Sequence, residues 1–515
     1  MEQINLQAPE GQEDKPYRDD PYRDNLYSKE NIWLLLFSLL LGLLFDLLFY
    51  GKPLGLSYPL YAIALYAVLL WNMRKNQQLK FSRTWLWGIP ILALSLTYFF
   101  FSNEIFAFFN FLMVPALLVT HTLLLTSKNH YQWFEPWFLA DLLQGMFFRP
   151  LANCLKPFLL LARITKHGSD SRDLGTARKV LVGILVAIPL LIIIIPLLSS
   201  ADEIFRHFLN QVPDIFNIDM TEFFARLIIV TLITCLVFSY LWSLFRPGNK
   251  ANGTLPDLKR LFKTKAFLDP ITVTTILTLI NILYIIFITI QFSYLFGSLS
   301  YGLPTDFTYA EYARKGFFEL VLITLINLVI LLGNLYLGKI SGGRIDKTVQ
   351  VLNTVLVVCT FVMLLSAHFR MSLYEEAYGF TYLRVLTHAF MGYLFVMFSA
   401  TLLKIWYRPL ILFKFYLVIS IAAYTLVNYI NVDRLIVTNN IERYNKGYSI
   451  DIGYLTTLSS DSVPLLVDFR NRISDQELVK QLDDGLEYKK QTLEEAAPWQ
   501  SFNISRYRAE KALLQ

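Results

Sequence analysis

Long apolar runs, separated by short polar connections, occupy residues 31–429 and predict a transmembrane helical domain. Each run is close to the roughly 20 residues that a helix needs to cross the hydrocarbon core of a bilayer. Backbone polar groups find no water in lipid, and the runs show no alternation with period two, so spanning helices are expected. About eleven spans are predicted, near residues 31–50, 56–73, 84–101, 104–126, 177–198, 221–245, 271–296, 316–337, 348–369, 382–403 and 410–429.

Three segments lie outside the predicted spans. Residues 1–30 are polar and repeat the tetrad Pro-Tyr-Arg-Asp, which predicts a flexible cytoplasmic tail. Residues 127–179 contain apolar pieces that prolines cut short, so we predict helices in the cytoplasmic interface, with a re-entrant pair over 131–165 as the alternative. Residues 430–515 are polar with helical periodicity, and about 85 residues are near the lower size limit for a self-stabilising core. They are predicted to form a small extracytoplasmic helical domain that packs on the bundle.

Connections rich in lysine and arginine alternate along the chain with connections that contain few of them. Connections near residues 74–83, 128–179, 246–265, 339–347 and 404–408 carry most of them, whereas the other connections are sparse in basic residues. Basic connections favour the cytoplasmic side, so the N-terminus is predicted to be cytoplasmic and the C-terminus extracytoplasmic. Attraction to the anionic headgroups of membrane lipids explains the basic residues of the loop at 246–265. The loop carries too little basic charge for nucleic-acid binding.

The composition is typical of a membrane protein, and the sequence contains no motif that indicates a reaction. Of the 515 residues, 55% are hydrophobic and 17% are charged, against roughly 25% charged residues in soluble proteins. The sequence contains no Walker A loop, strand-borne GxGxxG, HExxH or GxSxG, and its six histidines lack metal-ligand spacing. We therefore predict no cofactor and no metal, and whether the chain is an enzyme stays open.

Charged and aromatic residues collect at the predicted outer ends of the spans. They fall in three segments that are far apart in sequence, residues 311–319, 370–384 and 433–461. The candidate outer-face patch consists of Glu311, Arg314, Glu319, Arg370, Tyr374, Glu375, Arg384, Asp433, Arg443 and Tyr444.

Two interpretations of the outer-face patch stay open. In the first, arginine–carboxylate pairs hold the C-terminal domain against the membrane helices. In the second, the patch binds an anionic lipid headgroup or a glycan. The anion would be held by Arg370, Arg384 or Arg443, with Glu319, Glu375 or Glu376 as base or counter-charge.

Few ionisable residues fall inside the predicted spans. His121, His368 and His388 are expected to make hydrogen bonds between helices. Asp46 is expected at the outer interface or as the partner of Lys52. No acidic residue falls at mid-membrane, which weakens the case for a proton-coupled transporter.

Five ordered motifs resemble a known family. They are QFSYLFG at Gln291, TYAEYARKGFFEL at Thr308, RMSLYEEAYGFTYLR at Arg370, NVDRLIVTNNIERY at Asn431 and DIGYLTTLSSDSVPLL at Asp451. From the fifth predicted span to Leu466, the chain is similar to the bacterial membrane proteins grouped as domains of unknown function, DUF4173/DUF4153. The resemblance implies a multi-pass protein of the bacterial cytoplasmic (inner) membrane and supplies no activity.

The patterns together predict an envelope scaffold, binding or sensing protein. Its expected partners are membrane lipids, with an anionic lipid or glycan as the ligand of the outer-face patch. One alternative is a membrane-embedded transferase acting on lipid or glycan at the outer leaflet, which predicts an outward cavity lined by the patch. The other alternative is a transporter, which predicts inverted repeats and broken helices near mid-membrane. No such repeat is visible in the sequence.

Overall fold

The computed structural model describes most residues of the chain. They are 28–75, 83–166, 194, 197–205, 220–245, 268–295, 317–339, 342–493 and 498–514. Outside these ranges lie residues 1–27 of the predicted tail, nearly all of the predicted span at 177–198, and the candidate residues Glu311 and Arg314.

Helices account for the regular structure, and the described residues form no strand. One isolated parallel bridge joins Leu268 to Gly338. Short 3₁₀ turns cover Arg83–Trp87 and Trp499–Ser501, and a π-helical turn covers Gln144–Phe148. The helices are α1 (Lys29–Phe49), α2 (Ser57–Lys75), α3 (Gly88–Phe100), α4 (Glu104–Leu125), α5 (Phe138–Leu143), α6 (Arg149–Ala152), α7 (Lys156–Lys166), α8 (Met220–Phe245), α9 (Pro270–Leu295), α10 (Phe317–Leu337), α11 (Arg344–Tyr378), α12 (Tyr382–Trp406), α13 (Leu412–Tyr429), α14 (Val432–Asn445), α15 (Ile452–Thr457), α16 (Val463–Arg472), α17 (Gln476–Leu493) and α18 (Ile504–Leu513).

Eight helices of the described chain are long and apolar enough to cross a membrane, namely α1, α4 and α8 to α13. The prediction of an all-α membrane protein is therefore confirmed. The predicted span at 84–101 corresponds to a 3₁₀ turn followed by α3, which has only 13 residues. Because one predicted span lies almost wholly outside the described ranges, the count of eleven stays a prediction.

One compact unit comprises residues 1–46 and 149–253. Its helices α1 and α8 meet at Gly42, where an added Cβ would lie 2.7 Å from the carbonyl oxygen of Val230. In the same unit, the hydroxyl of Ser239 on α8 donates to the carbonyl of Arg149 at 2.9 Å. Small side chains thus let two apolar helices and the turn at α6 approach closely.

Asp46, late in α1, forms an ion pair with Arg226 of α8 at 2.9 Å. The predicted partner Lys52 instead donates to the carbonyl of Leu47 at 2.6 Å, so the pairing with Lys52 is wrong. Arg226 lies 180 residues away in sequence, and hydropathy gives no indication of such a pair.

The second compact unit comprises residues 47–148 and 254–515. Polar side chains inside its spans join neighbouring helices, as expected in lipid. Tyr284 of α9 donates to Asn327 of α10 at 2.7 Å, and Asn327 donates to Thr360 of α11 at 2.9 Å. The imidazole of His121 meets the hydroxyl of Tyr66 at 2.7 Å, which confirms a helix–helix hydrogen bond for this histidine.

The last five helices, α14 to α18, share one apolar core. Its buried residues include Ile436, Leu455, Leu466, Leu482 and Ala509, one from each helix. Phe106 of α4 and Val385 of α12 pack against this core. The C-terminal helices therefore belong to the same compact unit as α2 to α4 and α9 to α13. That residues 430–515 form a small extracytoplasmic domain stays a prediction.

Candidate functional site

Four helices of the second unit begin with an asparagine or aspartate whose side chain accepts a backbone N–H three residues later. Asn103 begins α4, Asn431 begins α14, Asp451 begins α15 and Asn503 begins α18, at 2.9 to 3.1 Å. Such caps satisfy backbone donors that a helix leaves open. The caps also fix the residue at which each helix begins, and so the positions of the side chains described below.

The C-terminal segment before α18 is hydrogen-bonded to two connections between helices of the N-terminal part of the chain, α1–α2 and α3–α4. The amide of Asn503 donates to the carbonyls of Tyr98 and Phe101, at the end of α3, at 2.7 Å each. Ser501 donates to the carbonyl of Pro53, in the connection between α1 and α2, at 2.7 Å. These two connections and the C-terminal segment therefore lie at one end of the unit.

Gly379 ends α11 at the same end. Its φ is +85° and its ψ is 172°, a conformation that side chains with a Cβ essentially never adopt. An added Cβ would also lie 2.5 Å from Oδ1 of Asn440 and 2.9 Å from Nη1 of Arg443. Both the backbone conformation and the close approach of α14 therefore require glycine.

Asn440 of α14 pairs with the backbone just after Gly379. Its Oδ1 accepts the N–H of Phe380 at 3.0 Å, and its Nδ2 donates to the carbonyl of Phe380 at 2.9 Å. The side-chain amide satisfies both polar groups of a residue that belongs to no helix. The connection between α11 and α12 is thereby fixed to α14.

Arg443, one turn further along α14, is only 5% exposed. Its Nε donates to the carbonyl of Glu376 at 2.8 Å, and its Nη2 donates to the carbonyl of Ala377 at 3.0 Å. The last carbonyls of a helix lack partners and carry partial negative charge, so a guanidinium there caps α11. Burial lowers the pKa of Arg443 from its ordinary value, a cost that these hydrogen bonds counter.

Arg384, in the first turn of α12, contacts the same helix end. It donates to the carbonyls of Tyr378, at 3.1 Å, and of Gly379. Its guanidinium lies 4.3 Å from the ring centre of Tyr374. Two arginines of the outer-face patch therefore use their N–H groups on backbone carbonyls. We call Gly379, Arg384, Asn440 and Arg443 the α11 clamp.

A second polar group is built around Asp433, which is 1% exposed. Its carboxylate accepts from the amide of Asn103 at 3.0 Å, from the hydroxyl of Ser459 at 2.5 Å and from the hydroxyl of Tyr382. A buried carboxylate is stable only when donors surround it, and three elements supply them here. These donors come from the start of α4, the start of α12 and the loop after α15.

Asp461 extends this network toward α3. Its carboxylate accepts the backbone N–H of Ser102 at 2.9 Å and the amide of Asn431 at 2.8 Å. An adjoining cavity of about 20 Å³ lies beside both carboxylates, enough room for about one water molecule. We call Ser102, Asn103, Tyr382, Asn431, Asp433, Ser459 and Asp461 the Asp433 cluster.

A carboxylate and two imidazoles form a hydrogen-bonded series near the end of α11. Oε2 of Glu375, which is almost fully buried, lies 2.9 Å from Nε2 of His388. Nδ1 of His388 lies 2.7 Å from Nδ1 of His368. If His388 is neutral and donates to the carboxylate, its Nδ1 accepts from His368, and Nε2 of His368 becomes the outermost acceptor. This arrangement confirms the predicted interhelical hydrogen bonds of both histidines.

A cavity of about 240 Å³ opens among the ends of α10, α11 and α12. Phe317, Met371, Tyr374 and Arg384 are among its lining residues, so its wall is mostly apolar with one cation. Among the described residues, no three histidine, cysteine or carboxylate side chains are placed to hold a metal ion.

Comparison with known families covers the region just described. The sequence model of a family described as a domain of unknown function, DUF4153, matches residues 88–469. The chain belongs to this family. The DUF4153 match begins at α3, earlier than the resemblance in the motifs, and it includes the α11 clamp and the Asp433 cluster. No curated protein and no solved structure matches the chain.

The DUF4153 region brings together only part of the predicted outer-face patch. Residues 370–384 and α14 meet, as the motifs suggest. Tyr444, however, packs its ring edge-on against Phe469 at 5.6 Å, inside the C-terminal core. This contact turns the ring toward the apolar core, and the place of Tyr444 in a polar patch stays a prediction. Glu319 lies exposed in the first turn of α10, and Arg370 is buried one turn before Tyr374.

Sequence reasoning missed Ser102 and Asn103 of the DUF4153 region. The connection between α3 and α4 carries no basic residue, so charge patterning gives it no weight. A signal was present nevertheless. Asn103 followed by Glu104 before an apolar run is typical of a capped helix start, which predicts an ordered polar turn there.

Proposed function

We propose that this protein is an integral membrane scaffold or binding protein of the bacterial envelope. In this proposal, α14 to α18 form a platform, fixed to one end of the membrane helices, to which other envelope components attach. The observation that supports this proposal most is the hydrogen bonding of Arg443 and Arg384. Both guanidinium groups donate hydrogen bonds to the carbonyls that end α11, which favours a structural clamp over anion binding.

The number of independent attachments also supports a rigid platform. The C-terminal helices contact the α1–α2 connection through Ser501, the α3–α4 connection through Asn503 and Asp461, and the α11–α12 connection through Arg443. A binding platform benefits from such rigidity because less conformational freedom is lost when a partner attaches.

The platform is proposed to face the outside of the cell. The connections at its end contain few lysines and arginines, while those at the other end contain Lys339, Arg344, Lys347, Lys404 and Arg408. Basic connections near membrane helices favour the cytoplasmic side. This orientation and the bacterial inner membrane belong to the proposal.

A membrane-embedded transferase acting on lipid or glycan is the second candidate, favoured by the series Glu375, His388 and His368. An imidazole backed by a buried carboxylate can remove a proton from a hydroxyl nucleophile. Thr387 and Met371, which line the 240 Å³ cavity, lie one and three residues from the two histidines. Neither histidine lines the cavity itself, so this candidate requires an acceptor hydroxyl that reaches from the cavity to Nε2 of His368. No comparable observation among the described helices favours a transporter, since α9 to α13 are unbroken.

Complementation of a deletion strain distinguishes the two candidates. The variants Arg443→Gln, His388→Gln and His368→Gln are compared after normalising for full-length protein in the membrane. Arg472→Gln serves as the control because Arg472 is mostly exposed and pairs only within its own helix. Under the scaffold proposal, Arg443→Gln lowers folded protein and function together, while both histidine variants complement. Loss of complementation in His388→Gln at normal abundance would refute the scaffold and support the transferase.

A further inference from the structure

A polar cavity of about 260 Å³ lies at the end of α9 to α12 opposite the α11 clamp. It is bounded by the start of α9, the end of α10, the start of α11 and the end of α12. Its volume is close to the lower limit of about 300 Å³ for ligand pockets. We call it the basic cavity, because its charged lining residues are Lys339, Lys404, Arg408 and Asp346.

The positive charges of the basic cavity are only partly compensated. Arg408 pairs with Asp346 at 3.3 Å, and Lys404 donates to the carbonyls of Arg408 and Leu410 at 2.5 and 2.8 Å. The ammonium of Lys339 makes no hydrogen bond or ion pair within the described part of the chain, and it is exposed. Three cations against one carboxylate leave the lining with a net positive charge.

Backbone and amide contacts hold this lining in place. The N–H of Lys339 donates to the carbonyl of Leu268 at 3.0 Å, which fixes the backbone of this lining residue. Deeper in the lining, Asn334 donates to the buried Asn353 at 3.3 Å. Gln350 donates to the carbonyl of Ile405 at 3.3 Å. The cavity therefore has positioned polar walls and a cation without a partner in the described chain.

Aromatic residues indicate the depth of the basic cavity in the membrane. Tyr336, Trp406 and Tyr407 are all more than half exposed, and each lies within three residues of a lining cation in sequence. Exposed tyrosine and tryptophan rings on membrane helices favour the level of the lipid headgroups. The cavity is then at the depth where a lipid presents its phosphate.

We propose that the basic cavity binds a phosphate-bearing anion, either the headgroup of an anionic phospholipid or free phosphate. Basic pockets between membrane helices are suited to anionic headgroups because several cations held close together attract a phosphate. Lys339 and Arg408 supply donors to the phosphate oxygens, and Asn353 and Gln350 supply neutral polar surface. This site is separate from the proposed platform, and its failure would leave that proposal unchanged.

Ligand-induced thermal stabilisation of the full-length protein in a neutral detergent tests the proposal. The probes are dioctanoyl phosphatidylglycerol, dioctanoyl phosphatidylcholine and inorganic phosphate. Lys339→Gln is compared with Lys347→Gln, which removes the same charge from an exposed position at the same end that does not line the cavity. We expect phosphatidylglycerol to raise the unfolding midpoint, with about fivefold weaker apparent affinity in Lys339→Gln and no change in Lys347→Gln.

The two sources of phosphate give different outcomes. Competition by inorganic phosphate would support a site for free phosphate, whereas phosphatidylglycerol binding without such competition would support a lipid headgroup site. The proposal is overturned if phosphatidylcholine stabilises as well as phosphatidylglycerol, if neither anion stabilises, or if Lys339→Gln and Lys347→Gln bind alike.

Discussion

Arg443 donates from Nε to the carbonyl oxygen of Glu376 at 2.8 Å, and so joins α14 to the last turn of α11 across 67 residues of sequence. Arg443, which is predicted from the sequence to belong to an anion-binding patch, therefore caps the end of a membrane helix. An exposed guanidinium would be free to bind a headgroup, whereas this one is buried with its donors occupied. The outer-face patch is for this reason interpreted mainly as a device that holds the C-terminal helices.

Gly379→Ala should destabilise the protein by at least about 3 kcal/mol, because alanine disfavours the backbone conformation and its Cβ would clash with α14. Gly447→Ala is the control. Gly447 also has a positive φ, +93°, but an added Cβ there meets nothing within 4 Å. We expect this control to lose only about 1–2 kcal/mol. Chemical unfolding in detergent measures both, and equal losses would contradict the close packing of Gly379 on Asn440.

Asp433→Asn should cost about 2–3 kcal/mol of unfolding free energy, because an amide places an N–H where the carboxylate accepts from hydroxyl and amide donors. Asp468→Asn is the matched control, since Asp468 is about half exposed and pairs only with Arg472. That change should stay within about 0.5 kcal/mol. A neutral effect of Asp433→Asn would show that the Asp433 cluster does not hold the C-terminal helices.

The boundaries of the membrane helices are predicted correctly where the length of the apolar run alone determines them. Helices α9 and α12 begin within one residue of their predicted starts, near residues 271 and 382. Helix α11, by contrast, continues to Tyr378, well beyond the predicted end at 369. Hydropathy ends a span where charges such as Arg370 begin, but the backbone hydrogen bonds of a helix continue until a residue such as Gly379 breaks them.

The contacts of the site could not be predicted in the same way. Arg443 binds backbone carbonyls, and a carbonyl acceptor has no side-chain identity that a sequence pattern could reveal. Asn103 and Asp433 lie 330 residues apart, and no periodicity relates them. Charge composition singles out the segments 370–384 and 433–461, which do contact each other, yet it cannot decide between an anion site and a clamp. That choice depends on which donors are already occupied in the folded chain.

The ion pair between Arg470 of α16 and Asp483 of α17 predicts a pH dependence within the C-terminal helices. The hydrogen bond from Arg470, at 2.8 Å, lowers the pKa of Asp483. A carboxyl with a lowered folded pKa stabilises the folded state above its unfolded pKa, roughly 3.9, and this stabilisation is lost as the pH falls through the folded value. The effect should be small because both side chains are largely exposed.

The measurement is the unfolding free energy of wild type and Arg470→Gln across a pH series. Their difference should be constant above about pH 5 and should shrink as the pH falls below roughly 4. Lys480→Gln removes the same charge from an exposed position of α17 and should show no such pH dependence. A difference between wild type and Arg470→Gln that grows on acidification would contradict the assigned pair.

Hydrogen exchange of the full-length protein measures the clamping role of Arg443 most directly. In Arg443→Gln, backbone amides of residues 376–384 should exchange about tenfold faster than in wild type, because the cap of α11 is lost. Peptides from the start of α9, which lies at the end opposite the α11 clamp, should exchange at the same rate in Arg443→Gln and in wild type. Unchanged protection of residues 376–384 in a folded Arg443→Gln variant would contradict the account.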